Sequence, residues 1–258
     1  MRHMRPVLLL IAFAAITLPL MPLQQLFVWF WPALAQRFPH FYHGLMAKVL
    51  GFEVVVSGEV PKQGPAFLVP NHASWIDIIV LSAVVPVSFV AKSEISRWPF
   101  FGSLARLQRT VFVERERRHT TGMERDTISS RLKEGGIIVL FPEGTSHNGR
   151  DVLPFRSSYF AAVHDPEIPV VPVTLAYTRC WGLPITPREL PRYAWYGDMD
   201  LAPHLWNALI AGPLTVEVIF HEPMRLDHAK ARKALAADTE RVVKAGLAAA
   251  LHGTRKTG

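Results

Sequence analysis

AFLVPNHASWIDIIVLSAVV, residues 66–85, is the stretch whose reading decides the fold. Ala66–Pro70 is short, apolar and bounded by a proline, the pattern of a buried strand. Pro70 and Asn71 end it, and Ser74 is placed to cap a helix running to Val84. Strand, tight passage and helix together make half of a parallel α/β unit. His72 then sits at the carboxyl end of a strand, where open α/β sheets place their ligand sites. Asp77 lies in the first turns of the helix and is close enough to fold back onto one imidazole nitrogen. Such a contact fixes the tautomer and stabilises the imidazolium when the other nitrogen takes a proton. A pair of this kind deprotonates a hydroxyl, and a positioned general base contributes about 10²–10⁴-fold, or roughly 3–5 kcal/mol of barrier. The hydroxyl can belong to the substrate, so no partner serine or cysteine is implied. Taken alone, the H-x₄-D spacing suits a capping histidine and a helix-terminus charge equally well.

The same alternation continues outward. Strands are expected at Phe52–Ser57, Ala66–Pro70, Ser88–Ala91, Thr110–Glu114, Gly136–Phe141, Val170–Ala176 and Leu214–Phe220. Helices are expected at His40–Leu50, Ser74–Val84, Phe100–Leu107, His119–Lys133, Ser157–Val163 and Ala229–Leu251, the last capped by Asp227. The fold class is therefore α/β, a mixed and mostly parallel sheet flanked by helices.

Residues 6–36 carry no Asp, Glu, Lys, Arg or His and are flanked by Arg2, Arg5 and Arg37. As one helix they would measure about 46 Å, longer than the roughly 30 Å hydrocarbon core. Pro19, Pro22 and Pro32 interrupt the stretch, so two helical pieces are expected, about 7–18 and about 23–34. Trp29 and Trp31 suit a membrane interface. A cleaved signal peptide is the competing reading, with Ala33-Leu34-Ala35 as its cleavage site. The bulky Phe27–Trp31 cluster argues for a retained anchor. The domain plan is an anchor over residues 1–37, a proline-broken two-helix motif, and an enzymatic domain over 38–258.

Composition agrees with a membrane-bound enzyme. Half of the 258 residues are hydrophobic, only 19% are charged, and mean hydropathy is +0.18. The net charge of +7 suits anionic lipid, nucleic acid or acidic substrates, and the apolar anchor disfavours nucleic acid. The single cysteine, Cys180, excludes an intrachain disulfide and a cysteine zinc site, and beside Trp181 it reads as packed. No G-x-S-x-G elbow is present, which argues against a membrane-associated serine hydrolase. A metallohydrolase would need a denser His/Asp cluster than His72 and Asp77 provide.

Three more segments narrow the chemistry. IIVLFPEGTSHNGR, residues 137–150, runs from a buried strand into Glu143, Gly144, Thr145 and Ser146. Glu143 offers an acceptor to a ligand hydroxyl, Gly144 permits close backbone approach, and Thr145 and Ser146 offer donors. RTVFVERERR, residues 109–118, places Arg115 after a short strand, where its fork of donors suits a phosphate. IPVVPVTLAY, residues 168–177, carries Pro172 within a strand, suggesting an edge or a bulge near a site.

In this order the four segments resemble the blocks of the glycerophospholipid acyltransferase family, which includes the bacterial 1-acylglycerol-3-phosphate acyltransferases. NHASWID resembles the NH-x₄-D block, TVFVER the second, FPEGTS the third and IPVVPVT the fourth, across about residues 52–180. The resemblance implies the fold of the glycerol-3-phosphate acyltransferases, with His72 as general base and Asp77 as its orienter. It implies that Arg115, Glu143, Gly144 and Thr145 hold the acceptor, and that the block around Pro172 shapes the site. It implies an acyl-ACP or acyl-CoA co-substrate, no metal, no other cofactor and no covalent intermediate. The partners it implies are membrane lipid, a lysophospholipid acceptor and the thioester donor, with no nucleic acid. The expected location is the bacterial inner membrane, with the catalytic domain facing the cytoplasm. The default acceptor is 1-acylglycerol-3-phosphate, giving phosphatidate. The alternative acceptor is lyso-ornithine lipid: YAWYGDMDLAPHLW, residues 193–206, is similar to the aromatic and acidic segment of relatives that acylate it. Asp198 and Asp200 there are available to a cationic head group.

Overall fold

The computed structural model of the chain describes residues 3–61, 64–113, 122–162, 167–225 and 232–253. The side chains of residues 122–126, 161 and 162 are outside this description.

Helix α1 (Met4–Phe30) and helix α2 (Pro32–Leu50) open the chain. The two-piece expectation is corrected here. α1 runs unbroken through Pro19 and Pro22, and the interruption comes at Trp31, with φ −139° and ψ 76°. Proline disfavours the helical region for the residue before it, while Pro32 itself fits the first position of a new helix. The boundary drawn at residue 37 falls inside α2. The apolar window of α1 has a mean hydropathy of 2.3, and α1 is long and apolar enough to cross a membrane. Met4, Val7, Leu8, Ile11 and Leu18 stand exposed along it. α2 ends on Gly51, whose φ of 81° lets its N–H reach the carbonyls of Ala47 and Lys48.

The sheet is built from β1 (Phe52–Ser57), β2 (Ala66–Pro70), β3 (Val87–Lys92), β4 (Val111–Val113), β5 (Ile137–Val139), β6 (Val170–Cys180), β7 (Leu183–Pro184) and β8 (Leu214–Phe220). Its order is β1-β8-β6-β2-β5-β3-β4, with β7 paired to β6. β2 is parallel to both β5 and β6, β3 is parallel to β4 and β5, and β8 runs antiparallel to β6. The mixed, mostly parallel sheet is as expected.

Helices α3 (Ile76–Val84), α4 (Phe101–Leu107), α5 (Gly122–Lys133), α6 (Leu201–Ala211) and α7 (Arg232–Leu251) complete the fold. Apolar side chains of α2 and α3 cover one face of the sheet, packing with Leu68, Val139 and Val173. Those of α5 and α7 cover the other, packing with Phe67, Ile138 and Val170. This double burial is why the central strands read as continuous apolar runs rather than alternating ones. α6 falls where only an aromatic and acidic insertion was expected, and the expected 157–163 helix is a single 3-10 turn, Tyr159–Ala162. Asp227, the expected cap of α7, lies outside the described residues.

Gly58, just past β1, has a φ of 83°, and a Cβ there would stand 1.8 Å from the carbonyl oxygen of Phe220. Gly58→Ala therefore must push β1 away from β8. It should cost about 2 kcal/mol or more, read as a lower unfolding temperature of the detergent-solubilised chain.

Candidate active site

Register brings the candidate residues together. β2 and β5 pair Ala66 with Ile137 and Leu68 with Val139. Carried past the strand ends, the same offset sets His72 beside Glu143. The backbone N–H of His72 donates to Glu143 Oε1 at 2.6 Å, and Glu143 Oε2 accepts the N–H of Leu153 at 2.8 Å. NHASWID and FPEGTS thus meet because two adjacent parallel strands end on the same edge of the sheet. On the other side of β2, Asn71 locks onto β6. Its amide donates to the carbonyl of Leu175 at 2.9 Å and accepts the N–H of Leu175 at 2.8 Å. The asparagine continues by side chain a ladder that Pro70 brings to an end.

The histidine and aspartate are in direct contact. His72 Nδ1 donates to Asp77 Oδ2 at 2.8 Å. The same oxygen accepts the backbone N–H groups of Ala73 at 2.7 Å and Ser74 at 2.9 Å. Asp77 Oδ1 accepts the hydroxyl of Tyr177 at 2.6 Å. The carboxylate is fully buried, and four donors replace the water it has lost. Burial and the neighbouring Asp77 push the Tyr177 hydroxyl well above its usual range, so it remains a donor. The expected cap is corrected: Ser74 does not cap α3 with its hydroxyl, and Asp77 ties down the passage from within the first turn. The His72 ring stacks on Phe141, with centroids 4.0 Å apart and planes 25° apart. Its side chain is 19% exposed and lines a cavity, and among the described residues Nε2 has no protein partner.

The cavity has a volume of about 740 Å³ and an apolar wall. Leu9 and Phe13 of α1, Met46 of α2, Ile79 of α3 and Leu104 of α4 contribute to it. Gly144 and Thr145 line it close to His72. Gly144 has a φ of 76°, and a Cβ there would stand 2.9 Å from the Tyr159 hydroxyl and 3.5 Å from the Arg156 guanidinium carbon. Sequence reasoning missed Arg156 and Tyr159, which lie ten and thirteen residues beyond the end of FPEGTS. It also missed Tyr177, although the quoted IPVVPVTLAY ends on it.

Two expectations change, and a third falls outside the described residues. Glu143 does not face the cavity: it is 2% exposed, both its oxygens are taken by backbone N–H groups, and it is not part of the cavity wall. Its task is to hold the backbone of His72. Pro172 sits in the sheet interior, opposite Val69, with β8 and β2 on either side of its strand. It is at neither an edge nor a bulge. The register shift in β6 falls at Tyr177/Arg179 instead. The carbonyl of Pro172 accepts the N–H of His221, so its nitrogen faces the chain just past the end of β8 and no donor is missed within the ladder. Pro172 is outside the cavity wall. Arg115 lies outside the described residues.

The segment 193–206 is fastened to both NHASWID and FPEGTS. Trp195 N–H donates to the carbonyl of Ala73 at 2.8 Å, and the Ser146 hydroxyl donates to the carbonyl of Trp195. Trp75 Nε1 donates to His204 Nδ1 at 3.1 Å, so His204 carries its proton on Nε2 and donates to Ala194 O at 3.0 Å. Burial lowers the pKa of His204 and keeps this tautomer neutral.

Comparison with known proteins shows the family. The acyltransferase family pattern matches residues 52–176. The chain is 44% identical over 253 residues to the lyso-ornithine lipid O-acyltransferase of Brucella abortus, covering 95% of each. The chain belongs to the acyltransferase family. It is also 42% identical to the lyso-ornithine lipid O-acyltransferase of Rhizobium meliloti, over 84% of this chain and 77% of that one. Identity to the 1-acyl-sn-glycerol-3-phosphate acyltransferase of Neisseria gonorrhoeae is 33%, over 58% of this chain and 56% of that one. The crystal structure of the 1-acyl-sn-glycerophosphate acyltransferase of Thermotoga maritima has the same fold, with a TM-score of 0.70 at 23% identity across all of both chains.

Glu143 supplies a pH signature of this acyltransferase site. Burial raises its pKa from 4.5 to about 8, against the two N–H bonds that lower it. A raised carboxyl pKa contributes stability that is full below pH 4.5 and is lost as pH rises through about 8. Glu143→Gln should remove that slope from unfolding measured across this window. It should also lower kcat by about tenfold or more with little change in acceptor KM, since it loosens the backbone of His72. A raised KM at unchanged kcat would return Glu143 to acceptor binding.

Proposed function

We propose that this acyltransferase moves a fatty acyl group from acyl-ACP or acyl-CoA to the free hydroxyl of a lyso-ornithine lipid. The observation that carries the choice of acceptor is segment 193–206, fastened to both NHASWID and FPEGTS. The relatives named for lyso-ornithine lipid include one similar over 95% of the chain, this segment among it, whereas the glycerol-phosphate relative matches 58%. Asp198 and Asp200 are exposed in that segment, and Asp200 precedes α6 without capping it by its side chain. The two carboxylates suit the ammonium of an ornithine head group. Acylation of 1-acylglycerol-3-phosphate is the second reading, favoured by Arg115 in TVFVER, which in that case clamps the phosphate.

In the reaction His72 Nε2 takes the proton of the acceptor hydroxyl as its oxygen attacks the thioester carbonyl. Asp77 holds Nδ1–H and balances the imidazolium charge. Collapse of the tetrahedral oxyanion breaks the carbon–sulfur bond, and the imidazolium protonates the departing thiolate. The acyl chain lies in the apolar cavity beside His72, with Gly144 and Thr145 at the reacting end. The scheme uses no metal and no acyl-enzyme. α1 and α2 attach the protein to the bacterial inner membrane, with the catalytic domain on the cytoplasmic side.

His72→Ala should abolish turnover in a chain that still folds. Purified membranes given labelled acyl-ACP should acylate lyso-ornithine lipid in preference to 1-acylglycerol-3-phosphate. Asp198→Asn with Asp200→Asn should raise KM for lyso-ornithine lipid about tenfold and leave that for the phosphate acceptor unchanged. Preference for the phosphate acceptor, abolished by Arg115→Ala, would select the second reading.

A further inference from the structure

β6 turns into β7 through Trp181 and Gly182, with Cys180 paired to Leu183. Both central residues have positive φ, 55° for Trp181 and 76° for Gly182. This is the two-residue hairpin turn that Asn-Gly fills without strain, and a tryptophan in its first position is conformationally costly. The ring does not repay that cost by burial. Trp181 is 64% exposed and Leu183 is 70% exposed. The tip is nevertheless held in place. Trp181 Nε1 donates to the carbonyl of Ala211 at 2.8 Å, and the ring lies so close to Gly212 that a Cβ there would stand 2.3 Å from it. A strained and pinned aromatic displayed outward is the arrangement of a contact residue.

Its surroundings say what it contacts. The guanidinium of Arg5 lies 6.0 Å from the ring centroid, and Arg5 also bonds the carbonyls of Leu209 and Leu50. Arg5 belongs to the first turn of α1, so the tip adjoins the start of the exposed apolar row that begins at Met4 and continues through Val7, Leu8 and Ile11. Arg179, on the hairpin itself, is exposed and reaches the carbonyl of Gly182 at 3.3 Å. An amphipathic indole, an apolar neighbour and two arginines, continuous with an apolar helix, suit the headgroup level of an anionic leaflet.

We propose that the Trp181–Leu183 hairpin tip is a second membrane contact, separate from α1 in sequence, that inserts at the lipid interface and fixes how the catalytic domain sits on the membrane. The inference rests on the reading of α1 as the membrane anchor, and its test separates the two.

Cys180 is buried, so labelling of the folded chain is confined to an introduced cysteine. Three full-length variants, Leu183→Cys, Leu8→Cys and Lys233→Cys on the exposed face of α7, carry a nitrobenzoxadiazole fluorophore in vesicles containing phosphatidylglycerol. Bromine-labelled phospholipid should quench the fluorophore at positions 8 and 183 about twofold or more, and leave that at 233 unquenched. Quenching at 8 with none at 183 overturns the inference and spares the anchor. No quenching at 8 overturns both. Trp181→Asn with Leu183→Ser supplies the residue the turn prefers, so the fold should be kept. It should lower turnover of vesicle-borne acceptor about threefold or more and leave turnover of detergent-dispersed acceptor unchanged. Equal rates for variant and parent on vesicles would also refute the membrane contact.

Discussion

A single buried carboxylate organises the catalytic end of this molecule. Asp77 has no contact with water, and an ionised carboxylate in that position is tolerated only while its donors are all in place. Those donors come from His72, Ala73, Ser74 and Tyr177, and so from the passage after β2 and from the far part of β6. The catalytic loop, the start of α3 and the fourth sequence block are therefore fixed by one charge. In the proposed reaction, the charge that holds the loop is also the charge that steadies the imidazolium during proton transfer. Structure and chemistry draw on the same group.

Around that group the sheet acts as a ruler. The offset of 71 residues that pairs β2 with β5 is the offset between His72 and Glu143. A second carboxylate is spent there on backbone alone. Burial works against its ionisation, and two N–H donors work for it, so Glu143 is a pH-sensitive partner of the His72 backbone. The apolar cavity completes the arrangement. It is walled by α1 and α2 as well as by the rest of the chain, so the helices proposed to meet lipid also wall the proposed acyl site.

Much of this was legible in the sequence because the periodicities are strong. The apolar runs at 66–70, 136–141, 170–176 and 214–220 read as strands, and strands stand at Ala66–Pro70, Ile137–Val139, Val170–Cys180 and Leu214–Phe220. The spacing of His72 and Asp77 alone left a capping pair and a base pair equally open, and the three further segments in order made the pair legible. What failed were judgements that depend on partners. Pro19 and Pro22 read as helix breaks, but apolar flanks and packing against α2 and α4 keep α1 continuous. Pro172 read as an edge marker, because sequence does not reveal on which side of a strand a missing donor falls. Glu143 read as a ligand contact, because its two backbone partners, at positions 72 and 153, are fixed only by register and loop closure. Tyr177 lay inside a quoted block and drew no reading, since a tyrosine at the buried end of a strand carries no signal of the aspartate one hundred residues earlier.

The most direct test of the account is the turnover of Asp77→Asn. The amide oxygen can keep the bonds from His72, Ala73 and Ser74, while the amide N–H donates to the Tyr177 oxygen in place of accepting from it. Geometry is then preserved and only the charge is lost. The account predicts a folded enzyme with acceptor KM near that of the parent and kcat lower by about 10²-fold or more. A folded Asp77→Asn enzyme with kcat within about threefold of the parent would contradict it, because the carboxylate would then be a fastener of the loop and not a partner of the base.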